Sequence, residues 1–269
     1  MTNKPAQFVG TSFKLGYRFQ NYWTDSMAIA FFAAEAGTGL FLVSYYFDLM
    51  WGMILGVALA GTLKPYFHLA HMGVPSKAIR ALFRPDRSWI SRGALAIGFF
   101  AVPAIWFLAG IGSKIGMPML DTLAEFTAVA AGLVVICYQG FAMSDSEAFT
   151  LWASPFVPAS SVAYALTAGS LLTLLVGQIA GGLTETQVNE LASIATILMA
   201  FNLAIVIGII NSAKKKSEGG RISVELLMEG KFAPWYRNLV MVVGLIVPIV
   251  IMLVTQGNVF GVLLSTAAM

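Results

Sequence analysis

The sequence predicts an all-α polytopic membrane bundle of seven to eight transmembrane helices, and three observations lead there. Of its 269 residues, 58% are hydrophobic and only 11% are charged, against about a quarter charged in soluble domains. So few charges could not cover a globule of this size. Mean hydropathy is +0.80. The apolar residues come in seven stretches of span length divided by short polar segments, as in a chain that crosses a bilayer repeatedly. The whole chain, 1–269, reads as a single integral-membrane domain. One cysteine, Cys137, excludes a disulfide framework, a cysteine-ligated zinc site and an iron–sulfur cluster held by this chain alone. The histidines, His68 and His71, share one segment and cannot grip a haem from facing sides.

The N-terminal segment 1–25 is polar or mixed. The apolar run behind it is long and lies deep in the chain, unlike a cleavable signal peptide. Spans are expected at about 27–48, 51–71, 93–112, 122–143, 158–182, 190–212 and 238–256 by the ~20-residue length rule. The first two are joined by a very short turn and should be antiparallel neighbours. The tail, 257–269, is apolar but short: a half-span, an interfacial segment or the end of a bent helix. The longest hydrophilic connections are 72–92 and 213–237, and no soluble domain is expected. Pro65, Pro103 and Pro248 fall inside spans without marking matched positions in two halves, so no inverted repeat is evident.

Each connection has a side. Calling the N-terminal side A, that side carries Lys4, Lys14, Arg18, Lys77, Arg80, Arg84, Arg87, Arg92, Lys214, Lys215, Lys216, Arg221, Lys231 and Arg237, fourteen of the sixteen basic residues. Lys114 alone falls on side B, and Lys64 lies inside a span. Positive-inside topology makes side A cytoplasmic. The net charge of +3 and pI near 9.0 are therefore an orientation signal and a docking face, not a nucleic-acid footprint. Tyr22, Trp23, Trp89, Trp152, Trp235 and Tyr236 fall near side A boundaries, where an aromatic belt accounts for most of them. The runs around Gly37, Gly39 and Gly132 allow close helix packing.

Ionisable groups inside spans are functional hypotheses, because hydrocarbon penalises them by several kcal/mol. Lys64, His68 and His71 are spaced i, i+4, i+7 and form one stripe on the second span. The stripe descends from side A at His71 to Lys64, ~10 Å at helical rise. Glu35 on the first span lies at a matching depth, so a buried Glu35–Lys64 ion pair is expected, serving either helix register or proton conduction. Asp25 reads equally as a helix cap. His68 and His71 near an interface would also suit headgroups or a loop carbonyl. A competing reading is an ion-translocating or transporter subunit with Glu35, Lys64 and Glu125 as its path.

Two segments resemble a known family. His71-Met-Gly-Val-Pro-Ser-Lys-Ala-Ile-Arg-Ala-Leu82, followed by Ser88-Trp-Ile-Ser-Arg92, resembles the His-Leu-Gly-x-Pro signature of membrane anchor subunits of dimethyl-sulfoxide-reductase-type enzymes. Tyr138-Gln-Gly-Phe-Ala, Leu151-Trp-Ala-Ser-Pro-Phe-Val-Pro158 and Ala165-Leu-Thr-Ala-Gly169 are similar to the run found in NrfD-like, polysulfide-reductase-type anchors. Trp23-Thr-Asp and Gly37-Thr-Gly39 fit the small-residue first helix of that superfamily, so the likeness covers roughly 20–180. Where the dimethyl-sulfoxide-reductase anchors carry an acid after the Ser-x-x-Ser run, this chain reads Arg92-Gly93.

The resemblance implies an eight-span, haem-free subunit that exchanges electrons with membrane quinone, menaquinone or ubiquinone, in the prokaryotic cytoplasmic membrane. Implied partners are a four-cluster ferredoxin-like iron–sulfur subunit and a molybdopterin catalytic subunit. By position, His71 matches the signature histidine of the quinol site and Tyr138 the tyrosine whose hydroxyl contacts a quinone carbonyl. Asp25 stands near a polar first-helix position at the quinone, and His68 and Trp152 complete the implied quinone-binding set. The chemistry agrees. A histidine with pKa near ~6.5 exchanges protons at neutral pH, and a tyrosine hydroxyl holds an oxygen as a neutral hydrogen-bond partner. The loop bearing Arg80, Arg84, Arg87 and Arg92 is the expected docking surface for an acidic partner face. Positive-inside topology would place the catalytic partners in the cytoplasm, with an intracellular substrate such as a coenzyme A thioester or a sulfur compound.

Overall fold

A computed structural model describes residues 8–9, 12–13, 24–145 and 149–269. Phe8–Val9 (β1) and Ser12–Phe13 (β2) form a minimal antiparallel ladder. Besides a 3-10 helix, Pro75–Phe83, and a single helical turn, Ile111–Lys114, nine helices follow among the described residues: α1 Asp25–Tyr46, α2 Met50–His71, α3 Trp89–Ala109, α4 Pro118–Ser144, α5 Phe156–Ala180, α6 Glu185–Lys216, α7 Glu218–Met228, α8 Pro234–Thr255 and α9 Val259–Ala268. Seven of them, α1 to α6 and α8, are long and apolar enough to cross a membrane. The chain is thus an all-α, multi-pass membrane protein, and each expected span falls on one of these helices.

The ends are set by local chemistry. Ser88 caps α3, accepting from the Ser91 amide at 3.3 Å, and Gly110 ends that helix in the left-handed region at φ 56°. Asp121 ties the α3–α4 connection, accepting from the amides of Gly112 and Ser113 at 2.7 and 2.8 Å. Thr184 and Gln187 form a capping box at the start of α6. Both π-helical stretches, Leu59–Leu63 in α2 and Pro234–Ile246 in α8, stop just before an internal proline, Pro65 and Pro248. Proline cannot donate to the carbonyl four residues back, and a wider turn is one way for a helix to absorb that loss.

Helices α1 and α5 are the inner pair: 67% and 50% of their apolar windows are buried, against 17–28% in the other spans. They touch backbone to backbone. A Cβ on Gly39 would lie 1.9 Å from the Ala165 carbonyl oxygen, and one on Gly169 would lie 2.4 Å from Gly39. Small residues permit this approach where apolar side chains gain nothing by leaving lipid. One core gathers Phe41, Phe100, Val135 and Tyr138 from α1 to α4. A second gathers Leu171, Leu174, Leu191, Met199, Met252 and Val262 from the later helices. Helix α1 contributes to both and joins the two halves.

The tail resolves into α9. Gln256 and Gly257 turn the chain at φ 50° and 77°, and Gln178 at the end of α5 donates to the Gly257 carbonyl at 2.7 Å. Helix α9 then runs back along α8, with Gly261 against Thr255 and Ser265 3.5 Å from the Pro248 carbonyl. Its ten residues span ~15 Å, about half the hydrocarbon thickness. Helix α9 is therefore too short for a full crossing and returns along α8.

Candidate functional site

A polar group sits where α1, α2, α4 and α5 converge, seven residues in from His71, the last residue of α2. Lys64 is its centre. Only 4% exposed, its ammonium donates to Gln139 Oε1 at 2.9 Å. It also lies 4.3 Å from the Phe31 ring centroid and 5.1 Å from that of Tyr138. Cation–π attraction thus covers the ammonium where no carboxylate reaches it. Gln139, fully buried, is oriented by donating through Nε2 to the Phe31 carbonyl at 3.3 Å.

The expected Glu35–Lys64 ion pair is not direct in this arrangement: no Lys64 nitrogen lies within 4.0 Å of Glu35 among the ion pairs of the described residues. Glu35 is half-buried and accepts instead from Ser161 Oγ at 2.6 Å. That hydroxyl also lies 2.8 Å from the Ile136 carbonyl, so its single proton serves two acceptors. Lys64 and Gln139 both remain within electrostatic reach of the Glu35 carboxyl. A neutral amide is interposed between the charges because Gln139 on α4 and Glu35 on α1 both face the α2 stripe.

Tyr138 is 3% exposed. Its ring fills the space opposite Gly93 of α3, where a Cβ would come within 2.1 Å of Cε2. Gly93 therefore seats the tyrosine. The Tyr138 hydroxyl makes no hydrogen bond with a described residue. His68 lies beside the group, its ring 5.8 Å from Phe31, with Nδ1 buried and unpartnered among the described residues. His71 caps the stripe at side A, with Nδ1 3.1 Å from Thr24 Oγ1 and 3.2 Å from Ser26 Oγ. Asp25, between those two residues, is exposed. The N-cap of α1 is Thr24, and Asp25 stands in the first turn, where a carboxylate complements the helix dipole.

Other expected residues lie elsewhere. Trp152 belongs to the α4–α5 loop, its ring 5.4 Å from Phe149. Arg80, Arg84 and Arg87 are exposed on side A, and Arg87 pairs with Asp86 at 3.3 Å. Arg92 is committed inward: it donates to the carbonyls of Pro85 and Asp86 at 2.8 and 3.2 Å and stacks 4.2 Å over Trp89. Its guanidinium fastens the loop to α3. Glu125 is in the opposite half of α4, accepting from Tyr45 Oη at 2.5 Å, fourteen residues or ~21 Å along the helix from Gln139. Tyr22, Trp23, Lys4, Lys14 and Arg18 lie outside the described residues.

Reading the charged residues alone missed Gln139, Ser161, Phe31, Thr24 and Ser26. Gln139 carried a signal, being an uncharged amide inside a span and adjacent to Tyr138. The two surface hollows, about 270 and 280 Å³, flank α7 and the start of α8, one lined by Ile222, Glu225 and Glu229 and the other by Phe232, Trp235 and Leu239. No family model matches the chain, and no curated protein or solved structure was found to be similar to it.

Proposed function

We propose that this chain is the quinone-reactive membrane subunit of a multi-subunit oxidoreductase, passing electrons between membrane quinone and an iron–sulfur partner. The observation that supports it most is a buried cation held by a neutral amide, beside a tyrosine hydroxyl and a histidine nitrogen that have no hydrogen-bond partner among the described residues. Quinone redox chemistry moves two electrons and two protons, so a site needs hydrogen-bond donors for the carbonyl oxygens and groups that exchange protons. Lys64 and Tyr138 are donors to one oxygen, worth more in a low-dielectric site than in water. His68 and His71 offer ring nitrogens to a quinone oxygen at the side A edge of the site, and Glu35 is the carboxylate within reach of the same group. Phe31 and His68 form the aromatic edge over which a quinone ring slides.

The partners in this reading are a four-cluster ferredoxin-like subunit, docked over exposed Arg80, Arg84 and Arg87, and a molybdopterin catalytic subunit. The membrane is the prokaryotic cytoplasmic membrane, with side A, the site and the partners facing the cytoplasm. The test is quinol-dependent electron transfer in the isolated complex. Tyr138→Phe and His71→Ala are each expected to slow it at least tenfold, and co-purifying iron–sulfur and molybdopterin subunits are expected in the wild type. Unchanged quinone kinetics in both variants would overturn the reading.

A further inference from the structure

We infer that the seam between α1 and α4 is a proton route linking the Lys64 group to side B. The inference rests on the quinone reading and states where the protons of that chemistry go. On α1, Glu35, Thr38 and Tyr45 fall on one helix face. On α4 the facing positions are the Ile136 carbonyl, Gly132 and Glu125. Three contacts stitch them together: Ser161 Oγ bridges Glu35 and Ile136, Thr38 Cγ2 lies 3.4 Å from where a Gly132 Cβ would stand, and Tyr45 Oη donates to Glu125.

Thr38 carries the argument. Helical threonines in this protein normally satisfy themselves: Thr62, Thr127, Thr167, Thr196, Thr255 and Thr266 each donate to the carbonyl four residues back, at 2.5–2.8 Å. Thr38 is fully buried, one turn from Glu35, and its Oγ1 has no partner among the described residues. A buried hydroxyl that forgoes even its own helix carbonyl is satisfied by internal water. In the proposed route a water at this hydroxyl is the relay to Glu35, one turn away.

Toward side B the next polar pair is Tyr45–Glu125, two turns or ~10 Å from Thr38. Leu42 occupies the gap, its Cδ2 3.2 Å from the Gly132 Cβ position. A short apolar break of this kind closes a water file by dewetting and opens when two or three waters enter. Oxidation of one quinol sends two electrons to the iron–sulfur partner and frees two protons; reduction of one quinone takes up two of each. In either direction the protons pass along the Glu35 carboxyl, the Thr38 hydroxyl with its water, and the Glu125 carboxyl. Each group accepts one proton and releases one, and no bond between heavy atoms changes.

The experiment uses the intact complex in sealed vesicles with pH dyes on both sides, under quinol-driven turnover. Protons are expected on side B in the wild type. Thr38→Val and Glu125→Gln should cut the side B protons per electron at least tenfold while uncoupled electron transfer continues, and Thr38→Ser should restore them. Protons on side A in the wild type, or unaltered stoichiometry in both variants, overturns the route. Failure of all quinone-dependent electron transfer rejects the quinone reading instead. The seam is then tested in the chain alone, in liposomes under a potassium–valinomycin potential. Leu42→Ser should raise proton conductance about tenfold and Glu125→Gln should suppress that rise; no rise overturns the route.

Discussion

Lys64 shows how much the identity of one neighbour matters inside a membrane. Its ammonium has a single hydrogen-bond acceptor, Gln139, and two aromatic faces. Removing that acceptor leaves a buried ammonium without its hydrogen bond, a loss of about 2–3 kcal/mol. Gln139→Leu should therefore lower thermal stability in detergent by several degrees. The Lys64→Met, Gln139→Leu double variant should recover most of the loss, because the two effects are coupled. Gly93→Ala should act on Tyr138 without touching its hydroxyl: the new methyl would meet the ring at 2.1 Å, and overpacking of this sort costs about 1–3 kcal/mol. Lower stability together with slowed quinol oxidation is the expected pair of readouts. Lys64, Glu35 and His68 stood out from sequence because hydrocarbon makes charged or proton-exchanging groups conspicuous, whereas Tyr138 stood out only through the resemblance carried by its Tyr-Gln-Gly run. Gln139 and Ser161 did not, since an amide or a hydroxyl in a span is ordinarily satisfied by helix packing.

At the scale of elements, glycine placement decides which helices meet. Gly39 and Gly169 bring α1 and α5 to backbone contact, whereas Gly98 on the exposed side of α3 has no atom within 4 Å of its Cβ position. Gly39→Leu is expected to abolish the folded bundle, seen as loss of the monodisperse peak in size-exclusion chromatography. Gly98→Ala should leave that peak in place and the folding stability within about 0.5 kcal/mol of wild type. Span positions were readable from hydropathy because transfer to lipid acts residue by residue. The π-helical turns were not readable in that way: they answer to the missing proline donor and to packing together. The tail was undecided between three outcomes until the Gln256–Gly257 turn and its anchor, Gln178, showed a short helix returning along α8.

For the whole molecule, the one-sided distribution of basic residues is the strongest orientation signal. A phosphatase or fluorescent-protein reporter inserted in the 213–237 loop should report the cytoplasm, and an external reading would reverse the proposed topology and move the partners to the other side. The crossing number, the approximate span limits and the matching depth of Glu35 and Lys64 were determined by the sequence alone. Each depends on local quantities: hydropathy over a span length and the 3.6-residue repeat. Which groups touch was decided only by the tertiary structure. Contact depends on the rotation of each helix about its axis, set by the glycine contacts of α1 with α2 and α5, and on what the neighbouring helix presents at that depth. That is why a carboxylate and an ammonium at matching depth come to be separated by Gln139, and why Arg92, one arginine among four in a loop, turns inward to hold that loop in place.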